Sequence, residues 1–500
     1  MDAPSRAKPP PLSRLLLTTV AMAGIQVCYA AQINFGTSHL KSLGMPLPLV
    51  SLAWLAGPLS GLLMQPLVGF ASDRCTSRLG RRRPFLLLGT IFTVLALLLF
   101  AFSRRLAHAF LAPPRAAHAS LSLAVLAFFL LDFSVQAIQA PLRALVTDVA
   151  PRGMLARGNA AIGFFTGAGN LLGGLLAGAS LSKALPVFPA CDPAKPLELE
   201  SCNDVVAVFT TSAVVLVITV AVCVVATKEV PLRKGARGPA TAPGSEPGSV
   251  RAARRDGLWK AVVNVPRPFW QVFAVQLCTW CGYFTLFVYV NTWVGTNVFR
   301  GEVEGDPTTV EIDLFHRGVR FGGMANAVQA VVTLSYSALL PKLLEAFGVA
   351  PVYVFSQAVE AACLLSAPFI RGSPHQRAPS RALKAFAMLD IASFGIVWAT
   401  TMGVPWTLIG TALESDPAYG KQLGLYTTLF NASQSFPQLV VALVAPLVLH
   451  YGANDVSMVM FLGGLIAVVG AFLVVTLHVG AGGRKGLPRI PSAGSQHTGV

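Results

Sequence analysis

The chain predicts an all-α integral membrane protein of twelve transmembrane helices arranged as two halves of six. Three observations predict it. Of the 500 residues, 54% are hydrophobic and 12% are charged, with a mean hydropathy of +0.63. Soluble domains carry about 25% charged residues, and no water-soluble core hides this much apolar surface. Twelve apolar runs each approach the ~20 residues that cross ~30 Å of hydrocarbon. Between the sixth and the seventh, from Glu229 to Arg255, the sequence turns Pro-, Gly-, Ala- and Arg-rich, the composition of a flexible linker.

The runs lie at roughly 14–36, 49–71, 84–103, 120–143, 158–180, 204–226, 268–291, 317–340, 349–370, 385–410, 424–449 and 457–479. Arg6, Lys8 and Arg14 accompany the first run, which has no small-residue cleavage site behind it and so reads as a helix rather than a signal peptide. The organisation that follows is a tail at 1–13, a first half at 14–226, a basic linker at 227–267, a second half at 268–480 and a tail at 481–500. Lys and Arg number 38 against 22 acids, and they gather in alternate turns: Arg74, Arg78 and Arg81 to Arg83, then Arg152 and Arg157, then the linker, then Arg484, Lys485 and Arg489. Positive charge marks the cytoplasmic side, so both termini are expected inside. Arg104, Arg105, Arg371, Arg377 and Arg381 run against that pattern. The net charge of +16 is spread over these turns and calls for no nucleic-acid partner.

Between the second and third runs stands Pro-Leu-Val-Gly-Phe-Ala-Ser-Asp-Arg-Cys-Thr-Ser-Arg-Leu-Gly-Arg-Arg-Arg-Pro, residues 66–84. Its Gly-x3-Asp-Arg-x4-Leu-Gly-Arg-Arg pattern resembles the loop between helices two and three of the major facilitator superfamily. The longer stretch from Trp54 through Gly57, Pro58, Ser60, Gly61, Gln65 and Pro66 is similar to the sucrose/proton symporters of plants and their animal relatives, a glycoside-pentoside-hexuronide:cation symporter-like branch. Further matches are Ala23-Gly24-x-Gln26 through Gln32, Leu131-Asp132-Phe133-Ser134, Gln139-x-Pro141-x-Arg143, Gly158-Asn159 through Gly169-Asn170, Arg317-Gly318-Val319-Arg320, Gly403-Val404-Pro405 and Pro437-Gln438. The resemblance implies the major facilitator fold, with two pseudo-symmetric six-helix halves and a midplane site between them. It also implies roles: Asp132 in proton coupling and Arg143 in sugar binding.

The residues support a site in their own right. Asp132, Gln136, Gln139 and Arg143 recur at i, i+4, i+7 and i+11, one face of helix four. An ionised carboxylate near mid-bilayer costs at least ~2.5 kcal/mol, so it faces a cavity or a partner. Burial disfavours its charged form and a cation such as Arg143 favours it, so a group that passes between the two environments carries a proton. A permanent ion pair that locks helix packing is the alternative. Amides suited to sugar hydroxyls are Gln32, Gln136, Gln139, Asn170, Asn431, Gln434 and Gln438. Trp280, Tyr283, Phe287 and Asn291 share a face of helix seven, either as an aromatic platform or as packing. Asp73, Arg78, Arg81 and Asp148 are expected to form the cytoplasmic gate.

The sequence departs from the plant pattern in three places. Leu47 stands where those proteins place a His, Asn291-Thr292-Trp293 where helix seven ends in Thr-Asp-Trp, and Phe321 where an acid follows the helix-eight Arg. Glu360 and Asp390 are acids outside the family pattern. Cys191 and Cys202 share the loop expected to face outward, with a disulfide or two free thiols both open; Cys278 and Cys281 read as packing. The small-x3-small glycines of helix five, Gly163 to Gly178, suit tight helix contact. The sequon Asn431-Ala432-Ser433 falls within a helix, which argues against glycosylation.

The resulting expectation is a proton-coupled sugar symporter, for sucrose or a related disaccharide, working by alternating access in the plasma membrane or an internal one. A uniporter, a glucose or maltose carrier and a non-transporting sugar receptor are the alternatives. No nucleophile–base pair or phosphate loop is present, so no enzyme activity, metal or cofactor is expected. The expected partners are a sugar, a proton and the bilayer, with the oligomeric state open.

Overall fold

Each of the twelve apolar runs becomes a helical span: α1 Ser13–Ser42, α2 Leu47–Gly69, α3 Arg83–Phe110, α4 Arg115–Val146, α5 Ala160–Gly178, α6 Asp204–Ala226, α7 Phe269–Val298, α8 Val310–Phe347, α9 Val349–Ser366, α10 Arg381–Trp406, α11 Leu429–Tyr451 and α12 Val456–Val475. The computed structural model describes residues 12–113, 115–149, 155–179, 181–184, 196–227, 229, 267–302, 310–373, 378–414 and 423–479. Most of the expected linker, Cys191 and the side chains of Cys202, Asp73 and Asn159 lie outside the described residues.

Several spans outrun their apolar runs. α8 begins about two turns early, with Glu311 and Asp313 in its first turn, where acids complement the positive end of the helix dipole. α7 continues past Asn291 through a π-helical turn at Val294–Val298. Hydropathy registers the part of a helix that needs lipid and misses polar ends that protrude from it.

The outer surface is apolar. Leu87, Leu88, Ile91, Phe92 and Leu95 of α3 and Val468, Val469, Phe472 and Val475 of α12 are all exposed in the bare protein. A contiguous apolar face of this extent needs lipid against it. Inside the first half, α1 packs on α5 and α6, and α3 on α4. In the second half, α7 and α9 both pack on α12, and α8 on α10.

Glycine sets how closely these helices approach. α5 lies between α1 of its own half and α8 of the other. Toward α1, a Cβ on Gly169 would sit 2.5 Å from the Ala23 carbonyl oxygen, and one on Gly173 would sit 2.3 Å from the Ala30 Cβ. Toward α8, a Cβ on Gly174 would sit 2.7 Å from the Ala327 nitrogen and 2.9 Å from its Cα, and one on Gly178 would sit 2.9 Å from the Met324 nitrogen. The small-residue stripe therefore serves two seams at once, one inside a half and one between halves. Gly163, nearer the basic turns, meets nothing within 4 Å.

Gly174→Ala is expected to push α5 and α8 apart, because the obstruction is backbone that no rotamer change relieves. The cost of such overpacking is ~1–3 kcal/mol. A fall in the midpoint of thermal unfolding in detergent checks it, and Gly163→Ala, which faces open space, serves as the unchanged control.

Candidate functional site

The polar stripe of α4 is built as its spacing requires. The helix runs through Pro141 and continues to Val149, so Asp132, Gln136, Gln139 and Arg143 stay on one face. Asp132 is 3% exposed and accepts a hydrogen bond from Gln32 Nε2 of α1 at 2.9 Å; Gln32 is itself 1% exposed. One turn further, Gln136 Nε2 donates to the Tyr29 hydroxyl at 3.1 Å, and Gln136 Oε1 accepts from Gln65 Nε2 of α2 at 3.0 Å. Two layers of polar side chains thus tie α1, α2 and α4 together inside the first half.

Arg143 is not the direct partner of Asp132. Eleven residues of helix separate them by about 16 Å along the axis, beyond the reach of an ion pair. Arg143 has many protein atoms around it, yet its side chain is exposed in the bare protein. Tyr29 lies within electrostatic range of both Asp132 and Arg143 and so stands between the two charges. Gln139 is half-buried between these layers. The neutral amide of Gln32 holds the carboxyl, a contact that survives protonation because an Asp that gains a proton becomes a donor and an amide also accepts.

The second half contributes an aromatic cluster. Tyr283 of α7 lies 5.1 Å from Trp398 of α10 and 5.9 Å from Trp280, centroid to centroid, and its hydroxyl accepts from Gln329 Nε2 of α8 at 3.0 Å. The stripe on α7 is therefore divided. Trp280 and Tyr283 form the cluster, whereas Phe287 packs edge-on against Trp54 of the other half at 5.4 Å and Asn291 joins a contact between halves. Asn170 on α5 and Asn431, Gln434 and Gln438 on α11 are half-buried. Among the described residues, no hydrogen bond joins these four to the α4 stripe.

A cross-half clasp lies at the end of the bundle away from the basic turns. Asn34 Oδ1 of α1 accepts from Asn291 Nδ2 at 3.1 Å and from Asn326 Nδ2 of α8 at 2.9 Å. Asn291 Nδ2 also reaches the Ile33 carbonyl at 3.2 Å. Thr37 Oγ1 donates to the Val288 carbonyl at 3.1 Å and accepts from Trp54 Nε1 at 3.0 Å. Arg320 of α8 faces Asp204 of α6 at 3.6 Å, while Asp204 Oδ1 accepts from Ser182 at 2.7 Å. Gly322 makes room for the clasp, since a Cβ there would sit 2.1 Å from Asn291 Oδ1.

The described ion pairs of the basic turn lie within the first half and its junction with the linker. Arg81 and Arg82 both pair with Asp148, with Arg81 Nε at 3.2 Å and Arg82 Nε at 3.1 Å. Glu229, just beyond α6, accepts from the backbone N–H of Arg82 at 2.9 Å. Gly80 has φ +105°, and a Cβ there would sit 2.3 Å from Glu229 Oε2. All these partners belong to the first half, so the described pairs staple α3, α4 and the end of α6 to one another and do not bridge the halves. Arg78 is exposed, and the side chain of Asp73 is outside the described residues.

Tyr29, Gln65, Gln329, Trp398, Asn34 and Asn326 are site residues that spacing alone missed. Tyr29 precedes Gln32 by three residues, and Asn326 precedes Gln329 by three. One helical face each was available as a signal, but half of it was aromatic.

The profile of the Major Facilitator Superfamily matches residues 15–436. The chain is 30% identical over 469 residues to the sucrose transport protein SUT3 of Oryza sativa subsp. indica, covering 88% of each. It is 30% identical over 461 residues to SUT1 of Oryza sativa subsp. japonica, covering 88% of this chain and 82% of that one. Among solved structures, a D-xylose-proton symporter superposes with a TM-score of 0.56 at 14% identity over 95% of this chain and 97% of that one. The inward open xylose transporter XylE from E. coli superposes with a TM-score of 0.58 at 13% identity, covering 93% and 95%.

Asn291→Ala removes two donors' worth of contact from the clasp, about 1–3 kcal/mol and a roughly 5- to 150-fold shift between closed and open states. A cysteine replacing Ile33 in a background free of other cysteines should then react faster with a membrane-impermeant thiol reagent. Equal labelling rates with and without Asn291 would show that the clasp does not set the closure of this end.

Proposed function

The chain belongs to the major facilitator superfamily, and we propose that it is a proton-coupled carrier of sucrose or a related disaccharide that works by alternating access. The observation that carries this reading is Asp132, an acid 3% exposed in the middle of a membrane span and held by a neutral amide. Sugar is the substrate named for the rice relatives at 30% identity. With the basic turns assigned to the cytoplasm, the amide clasp closes the extracellular end and Arg143 opens toward the inside.

Protonation changes what the first half can offer. Asp132 as a carboxylate accepts from Gln32; as an acid it gains an O–H that Gln32 can accept, and the amide turns over. Gln32 and Tyr29 share α1, three residues apart, so that change is felt in the Tyr29–Gln136–Gln65 layer next to the cavity. Arg143 supplies five N–H donors in a fixed fork suited to two sugar oxygens. Trp280, Tyr283 and Trp398 supply flat faces for the C–H side of a sugar ring, with Gln329 as a hydrogen-bonding edge. Coupling follows if the empty and the doubly loaded carrier reorient and the singly loaded one does not.

Uptake of labelled sucrose, maltose and glucose into vesicles, with and without a pH gradient, tests the reading directly. Sucrose accumulation that requires the gradient supports it. Equilibration without accumulation would favour a uniporter, the reading that Thr292 and Phe321 support by standing where the plant proteins carry acids.

Asp132→Asn is expected to cut the sugar gradient sustained by one pH unit about tenfold, the value of one proton, while sugar exchange survives. Accumulation equal to that of the parent would remove Asp132 from the proton path. Arg143→Lys keeps the charge and loses the fork, so transport should fall by tenfold or more at low sugar concentration, about 1.4 kcal/mol or above. Unaltered saturation behaviour would assign Arg143 to structure alone.

A further inference from the structure

The second half holds an acid that the mechanism above does not use. Glu360 of α9 is 0% exposed, and so are Gln357 and Ser356 beside it, while Tyr353 is 1% exposed. These residues stand at i, i−3, i−4 and i−7, one face of α9, and form a buried polar column with Gln276 and Thr279 of α7. Gln357 Nε2 donates to Glu360 Oε2 at 3.3 Å, and the Tyr353 hydroxyl donates to Gln276 Oε1 at 3.4 Å. Glycines make the space: a Cβ on Gly282 of α7 would lie 2.5 Å from Glu360 Oε1, and one on Gly470 of α12 would lie 2.5 Å from Gln357 Oε1.

Two features set this column apart from ordinary packing. The first is its unmet hydrogen-bonding capacity. Among the described residues, Gln357 Oε1, Ser356 Oγ and Gln276 Nε2 are all buried without a partner, and Glu360 Oε1 has only the backbone of Tyr283 beside it, outside good hydrogen-bond geometry. A purely structural polar cluster is satisfied internally, whereas a column with this many open positions is built to take a small polar occupant such as a proton and the water that delivers it. Among the described residues, the titratable groups that act with Glu360 are Tyr283, Cys278 and Cys281 of α7 and Tyr353 and Cys363 of α9, with Asp390 of α10 on the far side of Cys363, and none of these is a cation. An ionised carboxylate without a cation in such surroundings costs several kcal/mol, so these surroundings favour the neutral acid.

The second feature is its connection to the aromatic cluster. The backbone of Tyr283 lies alongside the Glu360 carboxyl, while the Tyr283 ring packs on Trp398 and its hydroxyl accepts from Gln329. One turn of α7 therefore touches the acid on one side and the aromatic cluster on the other.

We propose that Glu360 is a second proton-exchanging site, so that two protons, one on Asp132 and one on Glu360, accompany each sugar. This rests on the reading of the protein as a proton-coupled sugar carrier. The step is a bare proton transfer: an O–H bond forms on the carboxylate with a proton from outside water and breaks to water on the inside, with no redox change. Glu360 stands in for the acids missing from the ends of α7 and α8, through α7 and at greater depth.

The test is the coupling ratio of the full chain in proteoliposomes. At zero membrane potential and a pH difference of one unit, the sucrose gradient at which net flux vanishes should be roughly 100-fold for two protons and roughly 10-fold for one. The parent is expected near the first value, Glu360→Gln and Asp132→Asn each near the second, and the double variant near no gradient. Gln is isosteric with the protonated acid, so Glu360→Gln should insert normally and lose part of the pH dependence of uptake. A parent value near 10-fold overturns the proposal whether or not the variant folds, and so does a Glu360→Gln value equal to that of a 100-fold parent. A parent that equilibrates sucrose without accumulating it, or takes up no sugar at all, overturns the carrier reading and the second proton with it.

Discussion

The bilayer core offers no water to a polar group, so every donor, acceptor or charge inside this bundle has to meet another part of the protein or an aqueous cavity. Most of the architecture follows from that single constraint. Gln32 reaches across from α1 because Asp132 sits 3% exposed within α4. Gln65, Gln136 and Tyr29 link in a chain because three helices each bring one polar side chain to the same depth. Asn34 gathers two amides from the other half for the same reason. In water each of these bonds would compete with solvent and contribute little; here the alternative is an unmet group in hydrocarbon.

That constraint also explains why the joint between halves can be both specific and breakable. Its contacts among the described residues include amide–amide bonds, the Thr37–Val288 hydroxyl–carbonyl bond, the Phe287–Trp54 ring contact and an ion pair at 3.6 Å, over a seam of glycines on α5 and α8. Glycine gives backbone-to-backbone contact without interlocking side chains, so two helices can roll on each other without unthreading a core. Neutral amides re-pair with water when the joint opens, at far lower cost than separating a buried ion pair. The pairs at the basic turn are different. Asp148 takes Arg81 and Arg82 from within its own half, and Glu229 fastens the same turn to the end of α6. They tie α3, α4 and the end of α6 to one another.

Charge placement divides the labour further. Asp132 and Arg143 share a helical face but lie three turns apart, with Tyr29 between. A direct pair would have cancelled both charges and frozen them. Held apart, the acid meets the neutral amide of Gln32 while the guanidinium stays exposed in the bare protein.

The sequence alone determined the twelve spans, the two halves, the polar face of α4 and the membership suggested by the basic turn. These are properties of local composition and period, and hydropathy and helical spacing act on a chain before any tertiary contact exists. It could not determine partners. Gln32 was legible as an amide in α1, but only packing of α1 on α4 aimed it at Asp132 rather than at a sugar. The stripe Trp280, Tyr283, Phe287 and Asn291 was legible as one face, yet the crossing of α7 with α1 and α10 assigned its lower part to an aromatic cluster and its upper part to the clasp. Asp148 and Arg81 were legible as opposite charges of one half, and only packing of α4 beside the basic turn showed that they pair with each other. Glu360 was an acid without a place until α7 and α12 set glycines against it. In each case the deciding quantity is the relative placement of helices far apart in sequence, which arises from packing and is written in no single segment of the chain.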